Sequence, residues 1–133
     1  MKQPIVVKSF EDLYVYSLSR AFSKKVSELI KLLPKHEDYN LKSQMRRAKL
    51  SVTNNIAEGY GRYHYQENIQ FCRQARGSIY ELIDDFNECA DEGYLDQKML
   101  TDYKEAGYYL LKVLNKYISS LIKLKQATKE LTH

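Results

Sequence analysis

The chain has 133 residues, of which 44% are hydrophobic and 29% are charged, and its formal net charge is +4. This length predicts a single domain over residues 1–133, large enough to bury a core without disulfides. The composition excludes a disordered tail, and no apolar run approaches the roughly 20 residues that a membrane-spanning helix needs. The apolar piece near the N-terminus is too short for a signal peptide, so we expect a cytoplasmic protein.

The charges are unevenly distributed along the chain. Residues 1–64 contain twelve basic and six acidic side chains, whereas residues 77–105 contain nine acidic side chains and two lysines. This asymmetry is compatible with a basic face for nucleic acid, with head-to-tail attraction between subunits, and with an ordinary solvated surface.

Cysteine and histidine positions indicate neither a disulfide nor a metal site. Cys72 and Cys89 belong to one helical pattern, about 25 Å apart along the helix axis, so they cannot bridge within it. The three histidines are scattered and show no metal-ligand spacing. We therefore expect no metal and no cofactor.

Four amphipathic patterns follow one another and predict helices over about residues 9–33, 41–59, 66–92 and 96–125. Ser9 is a suitable N-cap for the first helix, and Pro34 ends it. Gly59 and Gly93 are suitable residues for ending the second and third helices, because glycine accepts the left-handed conformation. Asp96 caps the fourth helix. We expect residues 1–8 to form an extended arm and the chain from about residue 126 to fray.

Two features of the third and fourth patterns indicate close helix packing. Gly77 costs roughly 1 kcal/mol relative to alanine within a helix, which favours a close approach by another helix over simple tolerance. The fourth pattern carries two overlapping apolar stripes, broader than one bundle core requires, which favours burial against another subunit. The alternative is that no second subunit covers this face and that Tyr108, Tyr109 and Tyr117 lie half-exposed at the rim of the bundle. Four long helices with short connections predict an all-α, antiparallel up-down-up-down four-helix bundle.

The most unusual stretch is residues 51–62, which read SVTNNIAEGYGR. Its polar members lie on a helix that must pack, so they need partners, and the third helix supplies candidates. We predict a structural polar layer, favoured over a ligand site, made of Asn54, Asn55, Glu58, Arg76 and Ser78. Gly59 and Gly61 are predicted to form the turn. Because no strand precedes this G-x-G, it is a weak anion-binding signal.

Basic residues off the apolar stripes can contact phosphates without reading sequence. The predicted nucleic-acid-binding residues are Arg46, Arg47, Lys49, Arg62, Arg73, Lys123 and Lys125. Tyr60, Tyr63 and Tyr65 interleave with Arg62 and either stack on bases or cap the bundle end. No nucleophile–base pair is visible, and adjacent carboxylates such as those of Asp84 and Asp85 point apart on a helix. We therefore predict no catalytic residue and no enzyme.

Four segments carry a family resemblance. The start SFEDLYVY at residues 9–16 resembles F-x-D-L-x-V-W, and QMRRA at residues 44–48 resembles Q-I-R-R-A. Residues 51–62 resemble S-I-x-x-N-I-A-E-G-x-G-R, and ARGSIYEL at residues 75–82 resembles A-x-G-S-x-x-E-L. These patterns are typical of the bacterial four-helix-bundle proteins named for 23S rRNA intervening sequences. The chain departs from them at Thr53, often proline, and at Tyr16, often tryptophan.

The resemblance implies a non-enzymatic bundle that assembles into a ring, a homopentamer. It also relates the chain to the accessory variability proteins of diversity-generating retroelements, which form basic pentamers, bind nucleic acid and associate with a reverse transcriptase. The expected function is therefore RNA or DNA binding through basic surfaces, as an accessory subunit of a retroelement reverse transcriptase. The alternative is a structural protein–protein interaction module without nucleic-acid binding.

Overall fold

A computed structural model describes residues 6–131 and contains four α-helices and no β-strand within that range. Helix α1 spans Tyr14–Leu32, α2 spans Leu41–Tyr60, α3 spans Tyr65–Asp91 and α4 spans Gln97–Leu131. Each helix packs against the next one along the chain, and α4 also packs against α1. Because the connections are short, successive helices run antiparallel, which confirms the predicted all-α up-down-up-down bundle.

The core lies along the bundle axis and is formed by the apolar stripe of every helix. Phe86 is fully buried in this core. The centroid of its ring lies 6.1 Å from the ring centroid of Phe22 and 5.3 Å from that of Tyr103. Burying a phenylalanine side chain stabilises the fold by roughly 1.5–3 kcal/mol. Other fully buried side chains are Val26, Leu29, Met45, Val52, Ile56, Ile69, Ile79, Leu82, Leu110 and Leu114.

The chain enters α1 differently from the predicted continuous helix. Ser9 Oγ accepts a hydrogen bond from the Glu11 backbone N–H at 3.2 Å, but it caps a single 3₁₀ turn over Phe10–Asp12. Helix α1 begins only at Tyr14, because Leu13 has extended backbone angles. At the other end, Leu33 is extended ahead of Pro34, as steric contact with proline requires. Residues 1–5 of the predicted arm lie outside the described range.

The prediction that Gly59 forms part of the turn was wrong. Helix α2 continues to Tyr60, and Gly61 is the C-cap with an ordinary negative φ of −74°. Gly59 is instead needed inside the helix, because a Cβ there would lie 2.6 Å from Asn68 Oδ1 and 3.0 Å from Phe71 Cβ of α3. The glycine therefore allows α2 and α3 to approach closely just before the chain reverses.

The expectation of close packing at Gly77 was also wrong. No atom lies within 4 Å of a Cβ built there, and the residue is exposed on α3. The close contact between α3 and α4 occurs at Gly107, where a Cβ would lie 2.8 Å from Ile83 Cγ1. Gly93 ends α3 as predicted, with φ +83° and hydrogen bonds typical of a Schellman motif from Gly93 N to Ala90 O and from Tyr94 N to Cys89 O.

Helix α4 uses both of its apolar stripes within one chain. Leu110 and Leu114 are fully buried, and Leu111, Ile118 and Leu121 of the second stripe are at most 4% exposed. The width of this face therefore provides no argument for a second subunit. Asp96 Oδ1 accepts from the Met99 backbone N–H at 2.8 Å, which confirms the predicted cap. The helix continues to Leu131, well beyond the fraying point predicted near residue 126.

The antiparallel topology gathers many of the acidic side chains at one end of the bundle. We call the turn end the one that contains the α2–α3 connection and the C-terminal part of α4, and the other the acidic end. The acidic end contains the α1–α2 and α3–α4 connections and the side chains of Glu37, Asp38, Asp84, Asp85, Glu88, Asp91, Glu92 and Asp96. The sequence asymmetry thus becomes an asymmetry between the ends of one molecule.

Candidate nucleic-acid interface

A cleft of about 580 Å³ opens at the turn end, between the α2–α3 connection and the last turns of α4. Three tyrosines of the connection line it, and we call it the tyrosine cleft. Tyr63 is 91% exposed and Tyr65 is 38% exposed, whereas Tyr60 is half-buried. An exposed aromatic ring beside a cleft provides a face on which a base can stack. The cleft is also lined by Leu13, Arg62, His64, Asn68, Tyr117, Ser120, Leu121, Leu124 and Thr128.

The wall of the tyrosine cleft is held by a hydrogen-bonded link between α3 and α4. Asn68 is buried, and its Nδ2 donates to the Tyr117 hydroxyl at 3.3 Å, while its Oδ1 accepts from Cys72 Sγ at 3.5 Å. Burial raises the pKa of the Tyr117 phenol, and the hydrogen bond from Asn68 opposes that shift. The phenol therefore stays neutral at physiological pH, and the polar groups of this wall stabilise its shape.

Arg62 lies at the rim of the cleft, and its guanidinium group already contacts three neighbouring side chains. Its guanidinium lies 4.7 Å from the centroid of the Phe71 ring. It also pairs with Glu58 at 3.4 Å and with Glu67 at 3.9 Å. Such exposed pairs contribute only about 0.2–1 kcal/mol, so an incoming phosphate can compete with the two glutamates.

A second groove, of about 320 Å³, lies on the other side of the contact between α3 and α4, and we call it the basic groove. Exposed Arg73 lies on its α3 side, and Lys125 of α4 donates a hydrogen bond from Nζ to Gln66 Oε1 across it. Lys123 is exposed on the same segment of α4. The groove is further lined by Ile69, Ile122, Gln126 and Lys129. Four predicted basic residues, Arg62, Arg73, Lys123 and Lys125, therefore gather at the turn end.

The three remaining predicted residues lie elsewhere. Arg46 and Arg47 are exposed near the start of α2, about 20 Å along the helix from Gly61. Arg47 lines an acidic groove. The pKa of Asp38 is lowered first by its hydrogen bond with Lys42, and the positive charge of Arg46 lowers it further. Lys49 lines a shallow groove with three basic residues of α1 that the sequence reasoning missed, Arg20, Lys24 and Lys31. Their spacing of four and seven residues on one helix face is the signal that could have revealed them.

The predicted polar layer is smaller than expected, and its partners differ. Ser51 Oγ lies 2.8 Å from Ser78 Oγ, and Asn55 Nδ2 donates to the Ser51 backbone carbonyl at 2.8 Å and to its Oγ at 3.0 Å. This small network links α2 to α3. Asn54 and Glu58 are exposed and stand outside it, because both project from the solvent side of α2. Arg76 joins α3 to α4 instead, donating to Asn115 Oδ1 at 3.1 Å.

Both cysteine thiols of the described chain are buried. Burial raises the pKa of the Cys72 thiol to about 12, and burial with nearby acidic groups raises that of Cys89 to about 12. Neither cysteine is therefore a nucleophile near neutral pH, because the thiolate is the reactive form. Between residues 6 and 131, no group of three or more histidine, cysteine or acidic side chains is placed to hold a metal ion.

A comparison with protein families matches most of the residues described above. The sequence model of the 23S rRNA-intervening sequence protein family matches residues 11–116, which include α1, α2, α3 and the part of α4 up to residue 116. The chain belongs to this family. The match confirms the resemblance carried by the four sequence segments, and this family member has the bundle described above. No curated protein sequence matches the chain. Within the described range, no helix has the length and apolarity needed to cross a membrane.

Proposed function

We propose that this member of the 23S rRNA-intervening sequence protein family is a non-enzymatic cytoplasmic protein that binds single-stranded RNA or DNA at its turn end. The observation that supports the proposal is the juxtaposition of the tyrosine cleft and the basic groove on the two sides of one helix pair. One feature offers ring faces for bases, and the other offers positive charge for phosphates. A single strand exposes both kinds of group, whereas a duplex hides its base faces.

The binding mode follows from the types of side chain involved. Arg73, Lys123 and Lys125 contact phosphates without regard to sequence, while Tyr63 stacks on any base. We expect little sequence preference, because phosphate contacts and ring stacking do not distinguish one base from another. We also expect affinity to fall steeply with salt, since the charge contacts release counterions.

We further propose that five copies form a ring and that a reverse transcriptase of a retroelement is a partner. Both ideas rest on the resemblance to the accessory variability proteins. A ring would repeat a modest basic patch and raise avidity without new contacts, which suits a chain of net charge +4. Light scattering after size exclusion should then give five times the chain mass of 15.7 kDa. Copurification with a co-expressed reverse transcriptase after nuclease treatment tests the partner.

The main experiment measures binding of fluorescent single-stranded RNA and DNA oligomers as a function of salt. For single strands, the logarithm of the binding constant should fall with a slope of about −0.7 for each phosphate contacted. The double variant Arg73→Glu, Lys125→Glu should weaken binding to every sequence at least tenfold and flatten this slope. The double variant Lys35→Glu, Lys98→Glu is the matched control, because it makes the same change in net charge at two exposed lysines of the acidic end.

Two outcomes would refute the proposal. The first is the absence of binding to either nucleic acid at low ionic strength. The second is an equal loss of affinity in the double variant of Lys35 and Lys98, which would mean that only the net charge matters.

A second candidate function, a protein–protein interaction module, is favoured by large apolar side chains that stay exposed on the helices. Tyr14 and Tyr109 are 61% and 48% exposed, and their hydroxyl oxygens lie 3.1 Å apart between α1 and α4. Other exposed examples are Leu32, Leu50, Tyr80, Tyr108 and Leu124. A protein partner that is retained after nuclease treatment, together with no measurable RNA or DNA affinity, would favour this candidate over the first.

A further inference from the structure

A polar groove of about 570 Å³ at the acidic end has no role in the proposed nucleic-acid binding. It lies between the start of α2 and the last turns of α3, and we call it the acid groove. Its carboxyl groups come from Glu37, Asp84, Asp85 and Glu88. Arg47 is the basic residue among those that line it. Fully ionised, this set has an excess of negative charge.

Asp85 distinguishes this groove from an ordinary acidic surface. Its neighbours Asp84 and Glu88 are exposed, but Asp85 is only 6% exposed and forms part of the floor. Its Oδ2 is buried and accepts no hydrogen bond from any residue between 6 and 131. A buried carboxyl oxygen without a donor is costly, and native structures usually provide one. The site therefore lacks a hydrogen-bond donor that the described chain does not supply.

The charges around Asp85 show what kind of donor is missing. Burial, followed by the negative charges of Glu81, Asp84 and Glu88, raises the pKa of Asp85 to about 7. The charged groups that face the groove from other elements are Glu37, whose Oε2 accepts from the Tyr94 hydroxyl at 2.8 Å, and Arg47. A cationic donor in the groove would meet a favourable potential from all the carboxylates.

An organic cation fits the groove better than a metal ion. In the part of the chain that the structure describes, no three acidic, histidine or cysteine side chains are arranged as metal ligands. A guanidinium group is planar and weakly hydrated, and its five N–H donors can pair with more than one carboxylate of the groove. The groove volume lies within the range of about 300–1,000 Å³ usual for ligand sites. We propose that the acid groove binds a guanidinium group that pairs with Asp85.

Two sources could present this group, a free small molecule or an arginine side chain of a protein, and the test separates them. Calorimetric titrations use methylguanidinium, agmatine and backbone-blocked arginine as probes, with n-butylammonium for comparison. Asp85→Asn should weaken binding of the guanidinium probes at least tenfold, because the buried charge is lost. Asp91→Asn is the matched control: it removes the same charge from an exposed position of the same helix that does not line the groove, and it should change affinity no more than about threefold.

Proton linkage provides a readout that a diffuse negative surface would not produce. Cation binding ionises Asp85, so at pH 7 about half a proton should be released per bound probe, measured in buffers of different ionisation enthalpy. Below that pH, affinity should fall about tenfold per unit. Asp91→Asn should keep the proton release, because Asp91 is not among the groups that raise the pKa of Asp85, and Asp85→Asn should abolish it. Tighter binding of agmatine identifies a small molecule as the source, and tighter binding of blocked arginine identifies a protein side chain.

Three results would overturn the proposal. Equal losses in the two variants would reduce the groove to a diffuse potential. Butylammonium binding as tightly as methylguanidinium would remove the case for a planar donor. Absence of probe binding at millimolar concentration, with the wild-type chain folded, would mean that the site takes no external guanidinium. None of these results bears on nucleic-acid binding at the turn end, so the two proposals fail separately.

Discussion

Replacing Gly59 by alanine should destabilise the bundle, although alanine is the better helix former. A Cβ at this position would lie 2.6 Å from Asn68 Oδ1, 3.0 Å from Phe71 Cβ and 3.2 Å from the Asn68 backbone oxygen. Carbon contacts are optimal at about 3.5–4.0 Å, so α3 would have to move by roughly half an ångström or more. Two of the three contacting atoms are backbone or Cβ atoms, which no rotamer change can displace.

The expected magnitude comes from two opposing terms. Alanine gains about 1 kcal/mol of helix propensity over glycine. Overpacking a well-packed contact typically costs about 1–3 kcal/mol, and here the moving group is a whole helix, so we expect the upper part of that range. The Gly59→Ala substitution should therefore lower the free energy of unfolding by about 1–2 kcal/mol. At roughly 4 °C per kcal/mol for a chain of this size, Tm should fall by about 4–8 °C.

Gly77→Ala is the matched control, because that glycine is also inside a helix but has nothing within 4 Å of its Cβ position. It should gain the propensity term alone, about 1 kcal/mol, and raise Tm by about 4 °C. Urea denaturation followed by far-ultraviolet circular dichroism measures both variants. If Gly59→Ala is stabilised as much as Gly77→Ala, the close approach of α2 and α3 at Gly59 does not exist.

Three further predictions test other parts of the molecule. Tyr63→Ala should weaken single-strand binding by about 1–3 kcal/mol for each lost stacking contact. Tyr39 is an equally exposed tyrosine at the acidic end, and Tyr39→Ala should leave binding unchanged. Titrations of the two variants with single-stranded oligomers measure the difference. The pKa of Asp85 is raised from 3.8 to about 7, so the folded state loses stability as pH rises from about 4 to 7. Asp85→Asn should remove that pH dependence and stabilise the chain at pH 8 by at most about 4 kcal/mol. Urea denaturation at a series of pH values measures both effects. Cys72 and Cys89 should react with a thiol reagent at pH 8 only after denaturation, and rapid reaction of the native protein would contradict their burial.

The number, type and approximate bounds of the helices could be predicted from the sequence. Apolar positions that recur every three or four residues are a local property, and so are the signals of Asp96, Pro34 and Gly93 at helix ends. The family could also be inferred, because four short segments along the chain carry its pattern. These conclusions needed no knowledge of which helix faces which.

Only the tertiary structure decided what depends on relative helix rotation and on lengthwise position. Gly59 and Gly77 look alike in sequence, yet only Gly59 meets a neighbouring helix, because close approach depends on the partner's surface. The seven predicted basic residues separate into different regions, because the antiparallel packing places Arg47 in the acid groove and Arg73 in the basic groove. Burial gives Asp85 a raised pKa and leaves its adjacent neighbour Asp84 exposed, since successive helical residues point in different directions.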